Sequence, residues 1–173
     1  EQQPPPAVAV SVWLVRASNS NGTTSSIGSG SAREFVGANK LMDTLIASGI
    51  FGLPDDDRDT MQATLDLACE LNCEFANFYS AMAYPGSRLY DMALAEGWPL
   101  PAPWSGYSQH SVDTLPLPTK FVSAAEVLRF RDRAFEIYFN RPEYLRMVER
   151  KFGPETAAHV REMASHRLER MYA

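Results

Sequence analysis

One stretch of the chain decides its fold: FGLPDDD at residues 51–57, a helical segment, and FANFYSAMAYPG at residues 75–86. The Gly-Leu-Pro turn ends an apolar run, and the three aspartates supply an N-cap and favourable charge for a helix over about residues 58–71. Residues 74–82 then predict a strand. A strand, a tight turn, a helix and a second strand form one unit of a parallel βα layer, which places ligand contacts where the strands end.

The apolar residues of this unit follow the periodicity of its elements. In the helix, Met61, Leu65 and Ala68 form the stripe that is expected to be buried. The strand alternates between two sides. One side holds Phe75, Asn77, Tyr79 and Ala81, and the other holds Ala76, Phe78, Ser80 and Met82. Because nearly every position is apolar or small, the strand is expected to be covered on both faces.

The residues before this unit give weaker signals. Residues 7–15 predict one short strand after a proline-rich start. Residues 17–33 are mostly Ser, Gly, Thr and Asn, which bury too little apolar surface to offset the entropy of ordering, so they predict a linker or a mobile loop. Residues 34–48 carry apolar residues at roughly helical spacing, and Gly49 is expected to stop that helix.

The residues after the unit begin with a short helix and a long loop. Ser87 is expected to cap the helix, which ends near Gly97. Five prolines between residues 98 and 122 exclude a regular helix and a central strand. A loop of this length predicts a lid or a binding loop.

The last part of the chain predicts only helices. Ser123 and Glu126 form a capping box that opens a helix to about Phe139. Pro142 and Pro154 each stand at a further helix start. Residues 123–173 are therefore expected to be an all-helical extension.

Length and composition point to one ordinary soluble domain. The chain has 173 residues, of which 45% are hydrophobic, and no apolar run long enough to span a membrane. Its formal charge of −5 comes without the clustered basic face that nucleic-acid binding requires. Cys69 and Cys73 are too few for a disulfide framework, which favours a reducing, cytoplasmic setting. We therefore expect neither a nucleic-acid partner nor a membrane span.

The order of these motifs resembles the C-terminal half of radical S-adenosylmethionine (SAM) enzymes, particularly the cobalamin-binding branch that includes the anaerobic magnesium-protoporphyrin IX monomethyl ester cyclase. The matching residues are Gly52-Leu53-Pro54-Asp55, Thr60-Met61-Gln62 and Tyr84-Pro85-Gly86-Ser87. The segments FRDRAF at 130–135 and NRPEY at 140–144 are similar to that family's C-terminal helices. The resemblance covers about residues 51–173.

This resemblance implies an α/β fold: a fragment of a partial (β/α) barrel with parallel strands, followed by the all-helical C-terminal extension. Residues 1–50 are then an atypical N-terminal segment with a Ser/Gly-rich linker, and residues 51–122 are a βαβα portion of the barrel plus the long loop. For the full-length family the resemblance implies SAM and a 4Fe–4S cluster as cofactors, cobalamin in this branch, and a small-molecule substrate.

The resemblance also places six residues on the rim of the pocket in which the family holds adenosine and substrate. They are Gly52, Leu53, Pro54, Asn77, Tyr79 and Ala81. Gly52 would permit close approach of the backbone, and Tyr79 would stack on a planar group. The alternative is that Gly52 and Pro54 only shape a turn and that Tyr79 belongs to the core.

The cluster of this family requires three thiolates spaced CxxxCxxC. Cys69 and Cys73 have the first spacing, but position 76 is Ala76, and the alternative is that both thiols are buried in the core. The chain is therefore expected to be a fragment of a cobalamin-dependent radical SAM enzyme that is inactive alone and binds none of these cofactors strongly. The alternative function is a non-catalytic interaction module. Such a module would pair with another chain, or self-associate, through the exposed edge and surface of the incomplete barrel.

Three further groups of residues have two interpretations each. His159 and His166 are seven apart, which predicts one helical face and either a zinc site or a solvated surface. The aspartates at 55–57 could bind a hard cation or cap a helix. The arginines Arg129, Arg131 and Arg133 are expected on exposed faces, and the alternative is contact with an anionic substrate group.

Overall fold

The structure is a computed structural model that describes residues 12–17, 26–27 and 44–173, with side chains from residue 46 onward. Within those residues the strands are β1 (Val12–Ala17), β2 (Ser26–Ile27), β3 (Thr44–Phe51) and β4 (Phe75–Ser80). The α-helices are α1 (Arg58–Leu71), α2 (Arg88–Ala95), α3 (Ala124–Asn140), α4 (Pro142–Phe152) and α5 (Pro154–Ser165). A 3₁₀ helix (Trp104–Tyr107) lies between α2 and α3. The described part of the chain is α/β.

The strands form one sheet in the order β2-β1-β3-β4. β3 and β4 are parallel neighbours joined by α1, with Ile46 opposite Phe75 and Phe51 opposite Ser80. β1, in contrast, pairs antiparallel with both β2 and β3. The parallel pair β3 and β4 agrees with the strand direction predicted for the barrel fragment, whereas β1 and β2 lie in the N-terminal segment, for which no strand direction was predicted. Residues 18–25, which connect them, are too few for a parallel crossover.

The predictions for residues 7–33 are tested only in part. The short strand expected over residues 7–15 is found at Val12–Ala17, and residues 7–11 lie outside the described residues. Of the linker predicted over residues 17–33, the described residues are Ala17 in β1 and Ser26–Ile27 in β2. The rest of that linker also lies outside the described residues.

β3 is a strand where the sequence predicted the end of a helix. That helical prediction is wrong for residues 44–48, and residues 34–43 lie outside the described part of the chain. Three buried residues alternate with three half-buried ones, namely Ala47, Gly49 and Phe51 with Ile46, Ser48 and Ile50. Gly49 serves packing: a Cβ atom at this position would lie 3.2 Å from Cδ1 of Phe78 on β4. The apparent helix stop is a site of close contact between strands.

α1 begins at Arg58 and ends at Leu71, as predicted. Asp57 is its N-cap: Oδ1 of Asp57 accepts a hydrogen bond from the N–H of Thr60 at 2.8 Å, and Oγ1 of Thr60 accepts one from the N–H of Asp57 at 3.0 Å. Asp56 is buried, and its carboxylate accepts from the N–H of Leu53 at 2.9 Å. Asp55 forms an exposed ion pair with Lys120. These contacts support the capping interpretation of the aspartates.

The core lies between one face of the sheet and the helices α1 and α3. The predicted stripe of α1, Met61, Leu65 and Ala68, is buried. Phe51 of β3 stacks on Phe78 of β4 with ring centroids 5.7 Å apart, and α3 contributes Phe130, 5.0 Å from Phe51, and Tyr138, 5.4 Å from Phe78. Burial of each such ring stabilises the fold by about 1.5 to 3 kcal/mol.

Among the described residues, nothing covers the opposite side of the parallel strands to the same extent, and its aromatic rings are partly exposed. We call this side the open face, and its described residues are Ile46, Ser48 and Ile50 of β3 and Phe75, Asn77 and Tyr79 of β4. Phe75 is 52% exposed and Tyr79 is 39% exposed. The predicted division of β4 into two sides is confirmed over its length, but the prediction that both sides are covered is wrong. An apolar composition does not distinguish a strand covered twice from one whose aromatic residues are half-exposed.

The helices after β4 begin where the sequence predicted. Ser87 caps α2, Ser123 and Glu126 form the capping box of α3, and Pro142 and Pro154 occupy the first turns of α4 and α5. Among the described residues, no helix combines the length and apolar character needed to cross a membrane.

Candidate functional site at the strand tips

Five of the six residues predicted to line a pocket lie at the ends of two neighbouring strands, and Asn77 lies in the middle of β4, opposite Ser48. In the register of β3 and β4, Ile50 lies opposite Tyr79. Just beyond the strands, the N–H of Ala81 donates a hydrogen bond to the carbonyl oxygen of Phe51 at 2.7 Å. The structure therefore brings the two tips together on parallel strands.

The turn after β3 is explained by packing. Gly52 has a φ of +81°, and a Cβ atom there would lie 2.5 Å from Cγ1 of Val127 on α3. The N–H of Leu53 donates to Asp56, and the carbonyl oxygen of Pro54 accepts from the N–H of Lys120 at 3.0 Å. These contacts favour the interpretation in which Gly52 and Pro54 shape a turn, because the side of Gly52 that lacks a Cβ atom packs against Val127 and not against a pocket.

Asn77 and Tyr79 have the two side chains of the set that reach solvent on the open face. Asn77 is exposed, and the 39% exposure of Tyr79 contradicts the alternative that it belongs to the core. Ala81 differs from both: it is 4% exposed, and its carbonyl oxygen accepts from the N–H of Leu117 at 3.1 Å. The alternation of the strand ends at Ser80, so the prediction that Ala81 shares a side with Tyr79 is wrong.

The long loop over residues 98–122 lies against both strand tips. Leu117 reaches the tip of β4 and Lys120 reaches the turn after β3, through the backbone bonds described above. Gln109 adds a third contact with its side-chain amide. Oε1 of Gln109 accepts from the N–H of Ser80 at 2.9 Å, and Nε2 donates to the carbonyl oxygen of Ser80 at 3.0 Å. The Gln109 amide thus imitates a neighbouring strand at the end of β4.

A partly buried charge cluster beside this loop was not predicted from the sequence. Asp132 of α3 accepts two hydrogen bonds from Arg170, from Nε and Nη2, and one from Nη1 of Arg131, each at 2.8 Å. Nε of Arg131 also donates to the carbonyl oxygen of Phe78 at 2.9 Å. The prediction that Arg131 is exposed is wrong, since it is 4% exposed, whereas Arg129 and Arg133 are exposed as predicted. The guanidinium of Arg131 thus donates hydrogen bonds to the edge of β4 and to Asp132.

The electrostatics of this cluster fit its hydrogen bonds. Burial raises the pKa of Asp132, but hydrogen bonds and charge from Arg170 and Arg131 outweigh burial and hold that pKa below its usual range. Burial, together with the charges of Arg131 and Arg170, lowers the pKa of the nearby His110. Asp132 is therefore ionised and His110 neutral at pH 7.

One signal for Arg131 was present in the sequence. Leu128, Phe135 and Tyr138 are large apolar residues of α3, and residue 131 lies on the same helical stripe at spacings of three, four and seven. Asp132 is its neighbour in the chain. Arg170 and Gln109 had no such signal, because both contacts join residues far apart in sequence.

The cysteines do not fit an iron–sulfur cluster. Cys73 is 1% exposed, and burial, with the nearby charge of Glu74, raises its pKa to about 12. Burial also raises the pKa of Cys69, which is half-buried. Both thiols are therefore protonated, and the interpretation of them as buried core thiols fits the structure.

The two C-terminal histidines do not share a helical face. His159 lies in α5, but His166 follows the end of that helix with an extended backbone. In the part of the chain that the structure describes, no group of three or more His, Cys, Asp or Glu residues is arranged to hold a metal ion.

A shallow cavity of about 260 Å³ lies elsewhere, at the N-terminus of α1. It is lined by Asp57, Arg58, Asp59, Phe121 and Val122. None of the six predicted residues lines it, so the open face and not this cavity is the surface to consider for Asn77 and Tyr79.

Comparison with known proteins gives one distant relative. An uncharacterised methyltransferase from Pyrococcus horikoshii is 29% identical to this chain over 100 residues, a region that makes up 58% of this chain and 21% of that protein. The chain thus aligns with about a fifth of the length of this curated relative. No protein-family model matches the chain, and no solved structure does.

Proposed function

We propose that the chain is the C-terminal part of a radical SAM enzyme of the cobalamin-binding branch, in which β3 and β4 form part of a pocket wall. The observation that carries this proposal is the pair of adjacent parallel strands whose open face presents Asn77 and Tyr79. An aromatic ring and an amide on a sheet surface can stack on and hydrogen-bond to a nucleoside. The name of the Pyrococcus relative supports a methyl-transfer reaction for the whole enzyme, among the radical reactions of this family.

In this proposal the cluster chemistry belongs to another part of the enzyme. Two protonated thiols, one buried and one half-buried, cannot supply three thiolate ligands. This chain would contribute binding surface for SAM and substrate, while the remaining polypeptide would hold the cluster that cleaves SAM. The coding sequence immediately upstream of residue 1 tests this division: an in-frame CxxxCxxC is expected, and continuous coding sequence without it would overturn the assignment.

Of the six residues predicted to contact SAM, the geometry favours Asn77 and Tyr79. The test is an NMR titration of the chain with SAM. We expect weak, fast-exchange shifts centred on the amides of these two residues, and we expect Tyr79→Leu to remove them. Phe121→Leu is the matched control, because Phe121 is an aromatic residue 68% exposed beside the cavity at α1. Chemical-shift changes that lie outside the open face, or that persist in Tyr79→Leu, would contradict the proposal that β3 and β4 form part of a pocket wall.

A second candidate function is an interaction module without catalysis. It is favoured by the exposure of Phe75, whose 52% exposed ring contacts Phe152 of α4 at a centroid distance of 6.2 Å. Anaerobic reconstitution with iron and sulfide does not separate the two candidates, since both predict a colourless protein. Association through the open face in the absence of SAM, together with no response to SAM, would favour the interaction module.

A further inference from the structure

The segment after α5 is held to the rest of the molecule by one buried arginine. The side chain of Arg170 is 5% exposed. Its five N–H donors are matched by five hydrogen bonds. They go to both carboxylate oxygens of Asp132, the carbonyl oxygens of Gln109 and Ser111, and Oγ1 of Thr114, all at 2.8 to 2.9 Å. The N–H of Met171 adds a backbone bond to the carbonyl oxygen of Val112 at 2.8 Å.

These contacts connect the C-terminal segment to the tip of β4 through the loop. Arg170 fixes residues 109–114, and within them Gln109 holds both backbone polar groups of Ser80. Arg131 connects the same carboxylate, Asp132, to the next outward-facing carbonyl of β4, that of Phe78. The edge of β4 is thus satisfied by side chains whose positions depend on Arg170.

We propose that residues 166–173 form a latch, and that docking of Arg170 controls whether the loop over residues 109–114 closes on the strand tip. With the latch docked, Gln109 occupies the edge of β4 at Ser80. With the latch released, the loop opens, and the N–H and C=O of Ser80 lose their partners and form a free strand edge. This inference does not depend on the proposed function, because it concerns only contacts within the described chain.

Hydrogen exchange on the full chain tests the latch. Arg170→Ala is expected to speed exchange of the Ser80 amide and of the loop amides of Thr114 and Leu115 by about tenfold or more, because it removes a set of charge-assisted hydrogen bonds. Exchange in the centre of α1 is expected to change much less. Arg167→Ala is the matched control: Arg167 lies in the same segment, is 88% exposed, and has a 3.9 Å ion pair with Glu136. It is expected to leave the loop unchanged.

Two further variants keep the test decisive. Arg170→Lys retains the charge without the planar fork, and it is expected to speed loop exchange in the same direction by a smaller factor. It decides the question should Arg170→Ala fail to fold. Gln109→Ala is expected to speed exchange at Ser80 while the amide of Met171 stays protected. Unchanged loop exchange in the Arg170 variants, or equal acceleration in the loop and in α1, would overturn the latch.

Discussion

At the scale of single residues, Gly52 shows how a motif that resembles one of an enzyme family can have a packing explanation. Its positive φ and its contact with Val127 both require a residue without a Cβ atom. The same position also begins the turn that would border the proposed pocket. Packing therefore accounts for the glycine, and any ligand contact at this tip has to come from other groups.

We predict that Gly52→Ala lowers the free energy of unfolding more than Gly97→Ala does. Gly97 also has a positive φ, of +66°, but nothing lies within 4 Å of a Cβ atom there, so alanine costs about 1 to 2 kcal/mol through conformation alone. Gly52→Ala adds the overlap with Val127, which we expect to cost about 1 to 3 kcal/mol more. Urea denaturation of the two variants gives the difference. Equal losses would show that contact with Val127 is unimportant.

The thiol of Cys73 gives a second prediction at this scale. Because burial raises its pKa to about 12, almost no thiolate is present at neutral pH, and access to reagents is blocked as well. Iodoacetamide should leave Cys73 unmodified in the native chain and should modify both cysteines after unfolding in guanidinium chloride. Mass spectrometry of the peptides measures this. Rapid modification of native Cys73 would contradict the described burial.

At the scale of elements, local rules predicted helices far better than they predicted β3. Helix starts such as Asp57 with Thr60 and Ser123 with Glu126 depend on residues three apart, so the sequence shows them directly. The strand β3 depends on its neighbours for its stability, and Gly49 is needed there because the ring of Phe78 on β4 packs closely against it. The candidate site divides in the same way: the adjacency of the strand tips was predictable, whereas Gln109 and Arg170 act through contacts that no local pattern reveals.

The link between α3 and the C-terminal segment predicts a pH dependence. Because the folded pKa of Asp132 is depressed, its ionised form stabilises the fold above the unfolded pKa of about 3.9, and this contribution is lost as the pH falls through the folded value. Asp132→Asn should lower the free energy of unfolding at pH 7 by about 1 to 3 kcal/mol. The difference from the wild type should shrink in strong acid.

Denaturation at several pH values checks this, with Asp66→Asn as the control. Asp66 is exposed on α1 and accepts a hydrogen bond from Gln62. Its substitution should change stability by less than about 0.5 kcal/mol. If Asp132→Asn lowered the free energy of unfolding by the same amount at every pH, including strong acid, the charge of Asp132 would not be the cause.

At the scale of the whole molecule, the described residues cover one side of the parallel strands β3 and β4 and leave the other side open, as in a layer that lacks a partner. The helices α1 and α3 account for the buried side, and the aromatic rings of Phe75 and Tyr79 remain on the open face. Both proposed functions require this surface to be covered in the working protein. In the first proposal the cover is SAM, its substrate and the rest of one enzyme, and in the second it is a separate chain.

The open face therefore predicts association of the isolated chain. Exposed aromatic rings on a sheet whose strand β4 is outermost among the described strands favour contact between copies, since burial of apolar surface is favourable at about 25 cal/mol per Å². Sedimentation velocity should show mass rising with concentration, and Phe75→Lys should shift the chain towards monomer by placing a charge in the contact. Phe121→Lys introduces the same charge at an aromatic residue that is 68% exposed and lies beside α1, so it should leave association unchanged. A wild-type chain that stays monomeric at every concentration, or two lysine variants with equal effects, would show that the open face does not mediate self-contact.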